Sequence, residues 1–380
     1  KFFTAQGGLN KPNITEILKL ASADDFLTAA SEGEIESRDF ISVYSEGLVQ
    51  QIRQAVNHPE NYDQPLKGLR VVVDAGNGAG GFYADKVLAP LGADTTGSQF
   101  LDPDGNFPNH IPNPENAEAM ASICQAVLDN GADFGIIFDT DVDRSAAVDA
   151  QGNELNRNRL IALISAVVLR EHPGSTIVTD SITSDGLADF ITQLGGVHRR
   201  FKRGYKNVIN EAVRLNAGGQ ESWLAIETSG HGAMKENYFL DDGAYLVSKL
   251  LGELAIARQS GTVITDLIAE LKEPKESREY RLKILAQNFQ AYGTSVIQQL
   301  YAYVEKQCSW KIVPNNYEGI RVACREESED GWFLLRLSLH DPVLPLNIES
   351  NVEGGVERIK AKLLTFFQTI EQLDISSITK

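Results

Sequence analysis

Along this chain short apolar runs alternate with amphipathic stretches, and the period of the pattern changes twice. From Leu69 to about residue 258 the order is strand, glycine turn, helix, strand, and it repeats. Val71-Val72-Val73 and Phe134-Gly135-Ile136-Ile137-Phe138 have the length and content of buried strands, as do residues 176–179 and 223–226. Helical spacing predicts helices over 83–91, 117–128, 159–170, 186–194, 205–215 and 244–256. Strands and helices alternating in this way predict largely parallel sheets covered by helices. The pattern restarts after His172-Pro173-Gly174, so two such units stand in tandem as a weak internal repeat.

The two ends read differently. Lys1-Phe2-Phe3 reads as the end of a strand and Gly7-Gly8 as a turn. Asn13 with Glu16 makes a capping-box signature ahead of the stripe Ile14, Ile17, Leu18 and Ala21. A second helix is predicted over 39–53, and residues 57–65, with Pro59 and Pro65, read as a linker. Beyond Gly261, Phe333, Leu335, Leu337 and Leu339 alternate with Leu334, Arg336 and Ser338, so one strand would show an apolar face and a face bearing the arginine and serine. Residues 346–348 suggest another strand. A closing helix carries Val356, Ile359, Leu363, Phe366, Phe367 and Ile370 on one side. This last stretch reads as a separate α+β domain.

Composition narrows the function classes. With 380 residues the chain is long enough for two to four domains. Fifty-two acids against 35 bases give a net charge of −17, which argues against a large nucleic-acid footprint. Cys124, Cys308 and Cys324 lack metal-ligand spacing, so a reducing compartment without a disulfide framework is expected. The longest apolar run, 160–169, is far short of the ~20 residues of a membrane span, and no signal peptide is seen. The chain starts at Lys1 without a methionine, so a native N-terminal portion is expected to be missing. Cytoplasm is then the default compartment and an organelle such as a plastid the alternative.

The chemistry concentrates in Asp139-Thr140-Asp141-Val142-Asp143-Arg144. Three carboxylates at alternate positions follow a buried strand, where open α/β sheets place their ligands. Such acids suit a hard cation with oxygen ligands, Mg²⁺ above all. An EF-hand is excluded, because its glycine position is Arg144 and its glutamate position Ala150. A haloacid-dehalogenase-like phosphatase is a rival, with Asp139 as nucleophile. Gly76 to Gly81 fit G-x-G-x-x-G, which could cradle a dinucleotide with Asp102 as the ribose acid, although a tight structural turn is the preferred reading. Glu227 and Ser229, after another apolar strand, could grip sugar hydroxyls. Lys202-Arg203-Gly204-Tyr205-Lys206 offers cations at a helix start, and Arg336 with Ser338 makes a natural phosphate receptor. Each has a bland counterpart: a Ser-Gly turn, a solvated basic turn, a surface ion pair.

Taken together these stretches resemble the α-D-phosphohexomutases of the phosphoglucomutase/phosphomannomutase type. Asp104-Gly105-Asn106-Phe107-Pro108-Asn109-His110, Asp139 to Arg144, Glu227 to His231 and Arg336 to Pro342 stand in that family's order over about 240 residues. The resemblance implies tandem α/β domains with mixed, mostly parallel sheets and a C-terminal α+β domain of the TATA-box-binding-protein-like class, around a central cleft. It implies an isomerase that moves a phosphoryl group between O1 and O6 of glucose or mannose phosphate, through an enzyme phosphoserine and a hexose 1,6-bisphosphate. Asp139, Asp141 and Asp143 would hold Mg²⁺ against that phosphoserine, with Arg144 supporting catalysis. Glu227 and Ser229 would bind the sugar. Arg336, Ser338 and His340 would bind phosphate, and Lys202, Lys206 and His231 are candidate substrate contacts. Lys1 would match the family's general acid/base lysine.

Two departures bear on function. The family's phosphate loop reads R-x-S-x-T-E-P, whereas His340 and Asp341 stand here at the threonine and glutamate positions. The family's serine loop, T-A-S-H-x-P, is absent from the 380 residues. The expected organisation is therefore the remainder of domain 1 over 1–65, domain 2 over 66–173, domain 3 over 174–261 and domain 4 over 262–380. The expected activity of this chain alone is nil. A mutase homologue that only binds phosphosugars is the alternative from another class.

Overall fold

The structure, a computed structural model, describes residues 2–4, 7–338 and 341–379. Lys1, Leu339 and His340, singled out above, lie outside the described residues. The chain divides into two compact units, residues 1–44 and 45–380, within the segment 1–65 expected as a single piece.

In the first unit, β1 (Phe3–Thr4) pairs antiparallel with β2 (Gly7–Gly8), so the glycines expected in a turn lie in a strand. Helix α1 (Lys11–Ser22) starts one turn earlier than its sequence signature suggested. Asn10 is the cap, and its side chain and that of Asn13 each accept the other's backbone N–H at 3.1 Å. Pro12 favours this start, since its missing N–H would have no intrahelical partner there. No residue of α1 is buried, the expected apolar stripe included. Helix α2 (Phe40–Val56) spans the boundary, and in the second unit it buries Leu48, Val49 and Ile52.

The second unit contains three sheets. In the first, β3 (Val71–Asp74) is parallel to β4 (Phe134–Phe138), which pairs antiparallel with β5 (Ser145–Asp149), followed by β6 (Glu154–Leu155). Helix α3 (Ala117–Asn130) covers it, with Met120, Ile123 and Val127 against Val72, Ile137 and Val148. The helix expected over 83–91 is a short wide turn, Tyr83–Leu88, held by the buried bond between Tyr83 Oη and Ser248 Oγ at 2.7 Å. After α4 (Arg157–Glu171) comes the second sheet. Its strands are β7 (Thr176–Thr179), β8 (Val197–Arg200), β9 (Ser222–Ile226) and β10 (Gly232–Met234), with α5 (Asp185–Gln193) and α6 (Tyr205–Ala217) between them and α7 (Gly243–Ser260) after. The order is β10-β9-β7-β8, with β7 parallel to both β8 and β9, and β9 antiparallel to β10. Both sheets are therefore mixed, and each contains a hairpin: β4–β5 around loop 139–144 and β9–β10 around loop 227–231.

The third sheet is antiparallel throughout, in the order β12-β13-β14-β15-β11-β16. Its strands are β11 (Glu276–Ile284), β12 (Trp310–Ile312), β13 (Ile320–Cys324), β14 (Gly331–Leu335), β15 (Val343–Ser350) and β16 (Leu373–Asp374). Helices α8 (Phe289–Val304) and α9 (Gly355–Phe367) share one core with it, and α10 (Ser376–Thr379) ends the chain. Strand β14 stops at Leu335 and all five of its residues are buried, so Arg336 and Ser338 do not form a polar face of that strand. They follow it, where backbone bonds from Arg336 N to Pro345 O and from Ser338 N to Val343 O hold them beside β15. Among the described residues no helix is long and apolar enough to cross a membrane.

Candidate active site

The six residues between β4 and β5 form a tight loop because their neighbours leave no other course. Val142 takes a left-handed φ of 67°. A Cβ on Gly78 would stand 2.8 Å from the Thr140 carbonyl oxygen, and a Cβ on Gly243 would stand 2.9 Å from that of Val142. The G-x-G-x-x-G stretch is thus a packing device: Gly80 lies against the Phe138 ring, and Gly81 against the carbonyl of Leu101. Inside the loop the Asp139, Asp141 and Asp143 carboxylates bring one oxygen each within 4.8 Å of the others, with Asp139 and Asp143 buried and Asp141 exposed. Arg144 is the near counter-charge. Its backbone N–H donates to Asp139 Oδ1 at 3.1 Å, its Nε to Asp139 Oδ2 at 2.8 Å, and its Nη1 to Asn113 Oδ1 at 3.1 Å.

The second hairpin comes directly against the first. Ser145 N donates to Gly230 O at 3.3 Å, and Arg144 and His231 form an antiparallel bridge. His231 Nδ1 then lies 3.6 Å from Asp143 and 2.9 Å from Asp241, close to both carboxylates although not aligned for a hydrogen bond. Its ring packs on that of Tyr205, centroids 5.2 Å apart. Asp143, His231 and Asp241 also bring ligand atoms within 4.8 Å of one another, a mixed nitrogen and oxygen set sharing Asp143 with the first.

Glu227 and Ser229 are both buried. Ser229 Oγ makes no hydrogen bond among the described residues, an orphan hydroxyl of the kind a ligand satisfies. Glu227 Oε1 accepts the Gly204 N–H at 2.5 Å, yet burial and the neighbouring Asp180 push its carboxyl up to about 8. Asp180, whose Oδ2 accepts the Thr228 hydroxyl at 2.7 Å, is raised as well, by burial above all. At neutral pH Glu227 is therefore mostly protonated and can donate as well as accept. Its folded pKa exceeds the usual carboxyl value, so the stability it contributes is full at low pH and is lost as pH rises through about 8. The chain should thus lose about 1 kcal/mol per pH unit over pH 6 to 8 from this group. Glu227→Gln should flatten that part of the profile, which urea denaturation at a series of pH values measures. An unchanged slope would contradict this assignment.

Farther along, Arg203 binds the C-terminal sheet to the loop system. Its N–H donates to Glu318 Oε2 at 3.1 Å, which also accepts the Ser181 hydroxyl at 2.5 Å, and its Nη2 reaches Glu115 at 3.3 Å. Arg336 is buried, its Nη1 lies 3.9 Å from Glu318, and its Nε has no partner among the described residues. A cavity of about 340 Å³ opens here, lined by Lys202, Arg203, Asn207, Tyr317, Glu318 and Leu337. Lys202 is exposed at its rim and Lys206 is half-buried. The Ser338 hydroxyl accepts the Asp341 N–H at 3.3 Å.

Residues 44–152 match the family model described as phosphoglucomutase/phosphomannomutase, alpha/beta/alpha domain II, and residues 156–274 match that of domain III. A phosphoglucomutase of Neisseria gonorrhoeae is 30% identical over 348 residues, which cover 91% of this chain and 69% of that protein. The chain belongs to the phosphoglucomutase/phosphomannomutase family. A crystal structure of a member from Burkholderia thailandensis superposes with a TM-score of 0.76 at 27% identity, over 95% of this chain and 71% of the other. The N-acetylphosphoglucosamine mutase of Aspergillus fumigatus, solved with GlcNAc-6P and magnesium, shares the fold at a TM-score of 0.53 and 14% identity, over 86% of this chain and 65% of the other.

Family membership removes the haloacid-dehalogenase reading, and the geometry agrees: both Asp139 oxygens are held by Arg144, which ill suits a nucleophile. The phosphohexomutase loop fits a hard divalent cation. Three carboxylates are drawn together with one guanidinium against them, a negative surplus made of oxygen donors alone. Sequence reasoning missed Asp180, Asp241, Glu318 and the inward role of Arg203. Asp180 had a signal, since it directly follows β7 as Asp139 follows β4. Asp241 and Glu318 follow no such strand and carry no spacing cue.

Proposed function

We propose that this chain supplies the metal, sugar and phosphate loops of a phosphohexomutase acting on glucose or mannose phosphate. The observation that carries this is the meeting of the two hairpin loops, which sets Asp139, Asp141, Asp143 and Arg144 beside Glu227, Ser229 and His231. Asp139, Asp141 and Asp143 would hold Mg²⁺, whose part is to neutralise charge on the phosphoryl group in transfer. Arg144 fixes Asp139 and braces the loop through Asn113. Glu227 and Ser229 bind sugar hydroxyls, the first as a neutral acid and the second with its unpaired hydroxyl. Arg336, with Nε free and Ser338 two residues on, takes the phosphate that is not reacting. The magnesium and the sugar phosphate in the related A. fumigatus enzyme lend support to this ligand set.

The reaction proceeds through a phosphoserine and a hexose 1,6-bisphosphate, and the serine loop is not contained in the 380 residues. The chain by itself binds hexose phosphates and does not isomerise them. Phosphorus NMR of the purified chain with Mg²⁺, glucose 1-phosphate or mannose 1-phosphate, and a trace of the bisphosphate checks both parts. Saturable binding without 6-phosphate formation is expected. Absence of binding would sink the functional reading, and robust isomerisation would sink the stated inactivity.

A further inference from the structure

A second cavity, of about 470 Å³, lies where strand β8 faces loop 313–317 of the C-terminal sheet. His198, Arg199, Arg200, Asn315, Tyr317 and Arg321 stand in its wall, and none of its lining residues is acidic. In a chain of net charge −17 this is a local inversion of sign.

The ion pairs around it do not balance. Arg200 and Arg321 both lean on one oxygen, Asp185 Oδ1, each at 2.9 Å. Arg199 and Arg214 likewise share Glu211, at 2.8 and 2.7 Å. Four guanidiniums thus divide two carboxylates. Asp185 also faces Arg325, and Arg200 also faces Asp189 and Glu349; burial pushes Glu349 up to about 7, and its Oε2 is engaged by the Trp332 indole N–H at 2.9 Å. Positive charge remains in surplus. Burial above all, and then Arg200 and Arg321, hold the His198 imidazole well below the usual range.

Donors are left over as well. Arg321 is 2% exposed and lies flat on Trp332, its carbon 3.5 Å from the ring centroid. Its Nη1 donates to Ser181 O at 3.0 Å and its Nη2 to Thr183 O at 3.1 Å, but its buried Nε has no acceptor among the described residues. Nη1 of Arg199 and of Arg200 makes no hydrogen bond there either. A purely structural cluster would satisfy its buried Arg321 Nε, because an unpaired buried donor is costly. A positive surplus, with donors left over on three forked guanidiniums, suits the several oxygens of a phosphoryl anion better than a single carboxylate, and the volume leaves room for more than the anion.

We propose that this cavity is a second anion site, which binds a phosphoryl dianion as inorganic phosphate or as the head of a small phosphate ester. It is separate from Arg336 and the loops of the candidate active site, sharing with the cavity there the wall residue Tyr317. The site does not depend on the mutase reading.

The test is calorimetric titration of the whole chain carrying Arg336→Gln, which removes the guanidinium proposed above to take phosphate, with inorganic phosphate and separately with ribose 5-phosphate. Asn315→Asp is the probe variant: Asn315 has a left-handed φ of 56°, a conformation aspartate also tolerates, so the change inserts a negative charge with little strain. It should weaken binding about tenfold or more at low salt, and less at high salt. Arg199→Gln, which removes a charge from the opposite wall, should weaken it about threefold to tenfold. Tighter binding of the ester assigns the site to a phosphate ester, and equal or tighter binding of inorganic phosphate assigns it to the free anion. Absence of phosphate binding in the Arg336→Gln chain, or affinities changed less than about twofold by both probe variants, would overturn the proposal.

Discussion

Asp141→Asn should weaken Mg²⁺ binding by at least about a hundredfold while leaving the metal-free chain as stable as before, or slightly more so. Asp141 is the exposed member of the triad, and no hydrogen bond or ion pair joins it to another described residue. In the metal-free chain its carboxylate adds only repulsion toward Asp139 and Asp143, so deleting the charge relieves the loop. Asp139→Ala should behave otherwise. It too loses the cation, but it also removes two of the contacts that fix Arg144, one to its backbone N–H and one to its guanidinium. That should cost about 2–3 kcal/mol of stability, because a partly buried guanidinium loses its nearest carboxylate and keeps only Asn113 and the more distant Asp143. Titration calorimetry with Mg²⁺ and urea denaturation of the two variants separate the effects. Parental Mg²⁺ affinity in Asp141→Asn would remove the triad from the metal site. Equal destabilisation of the two variants would contradict the division of labour between Asp141 and Asp139.

The parts of this site that could be read from the sequence are those where chemistry directly follows a buried strand. Phe134–Phe138 announces Asp139, and Ser222–Ile226 announces Glu227, because an apolar run followed by acids is a local pattern. The return strands could not be read in that way. Ser145–Asp149 is fully buried, so it lacks polar alternation, and its two alanines have weak strand preference. Gly232–Met234 is three small or flexible residues long. Without those strands the acidic stretch reads only as the loop after β4, whereas it is the closed end of a hairpin.

The meeting of the hairpins is a matter of long-range packing, and no local pattern encodes it. The C-terminal sheet shows the opposite failure. Leu337 continues the alternation begun at Phe333, which suggests a longer strand. Yet β14 ends at Leu335: beyond the Leu335–Leu346 pair Arg336 N still donates to Pro345 O, but Pro345 has no N–H to return the bond. The arginine that seemed to belong to a strand face instead stands just past its end, buried and facing Glu318.

Gly230→Ala should be the most damaging of the small substitutions, because it attacks the contact that brings the two loops together. Gly230 has a φ of 94°, and a Cβ there would stand 2.5 Å from the Ser145 carbonyl oxygen and 3.3 Å from its nitrogen. These are backbone atoms of β5 and cannot swing aside as a side-chain tip would. The variant must therefore separate the hairpins, breaking the Ser145 N to Gly230 O bond and moving His231 away from Asp143. Gly219, with a φ of 80° and nothing within 4 Å of its notional Cβ, supplies the control. Gly219→Ala should cost only the left-handed strain of about 1–2 kcal/mol. Gly230→Ala should cost about 3–5 kcal/mol, since the same strain is joined by a clash against rigid backbone. It should also weaken the hexose phosphate binding proposed for Glu227 and Ser229, which Gly219→Ala leaves alone. Denaturation midpoints together with calorimetric binding compare the two. Equal losses of stability in both variants would mean that the loop junction is soft, and that the alignment of the metal and sugar loops rests on contacts other than Gly230.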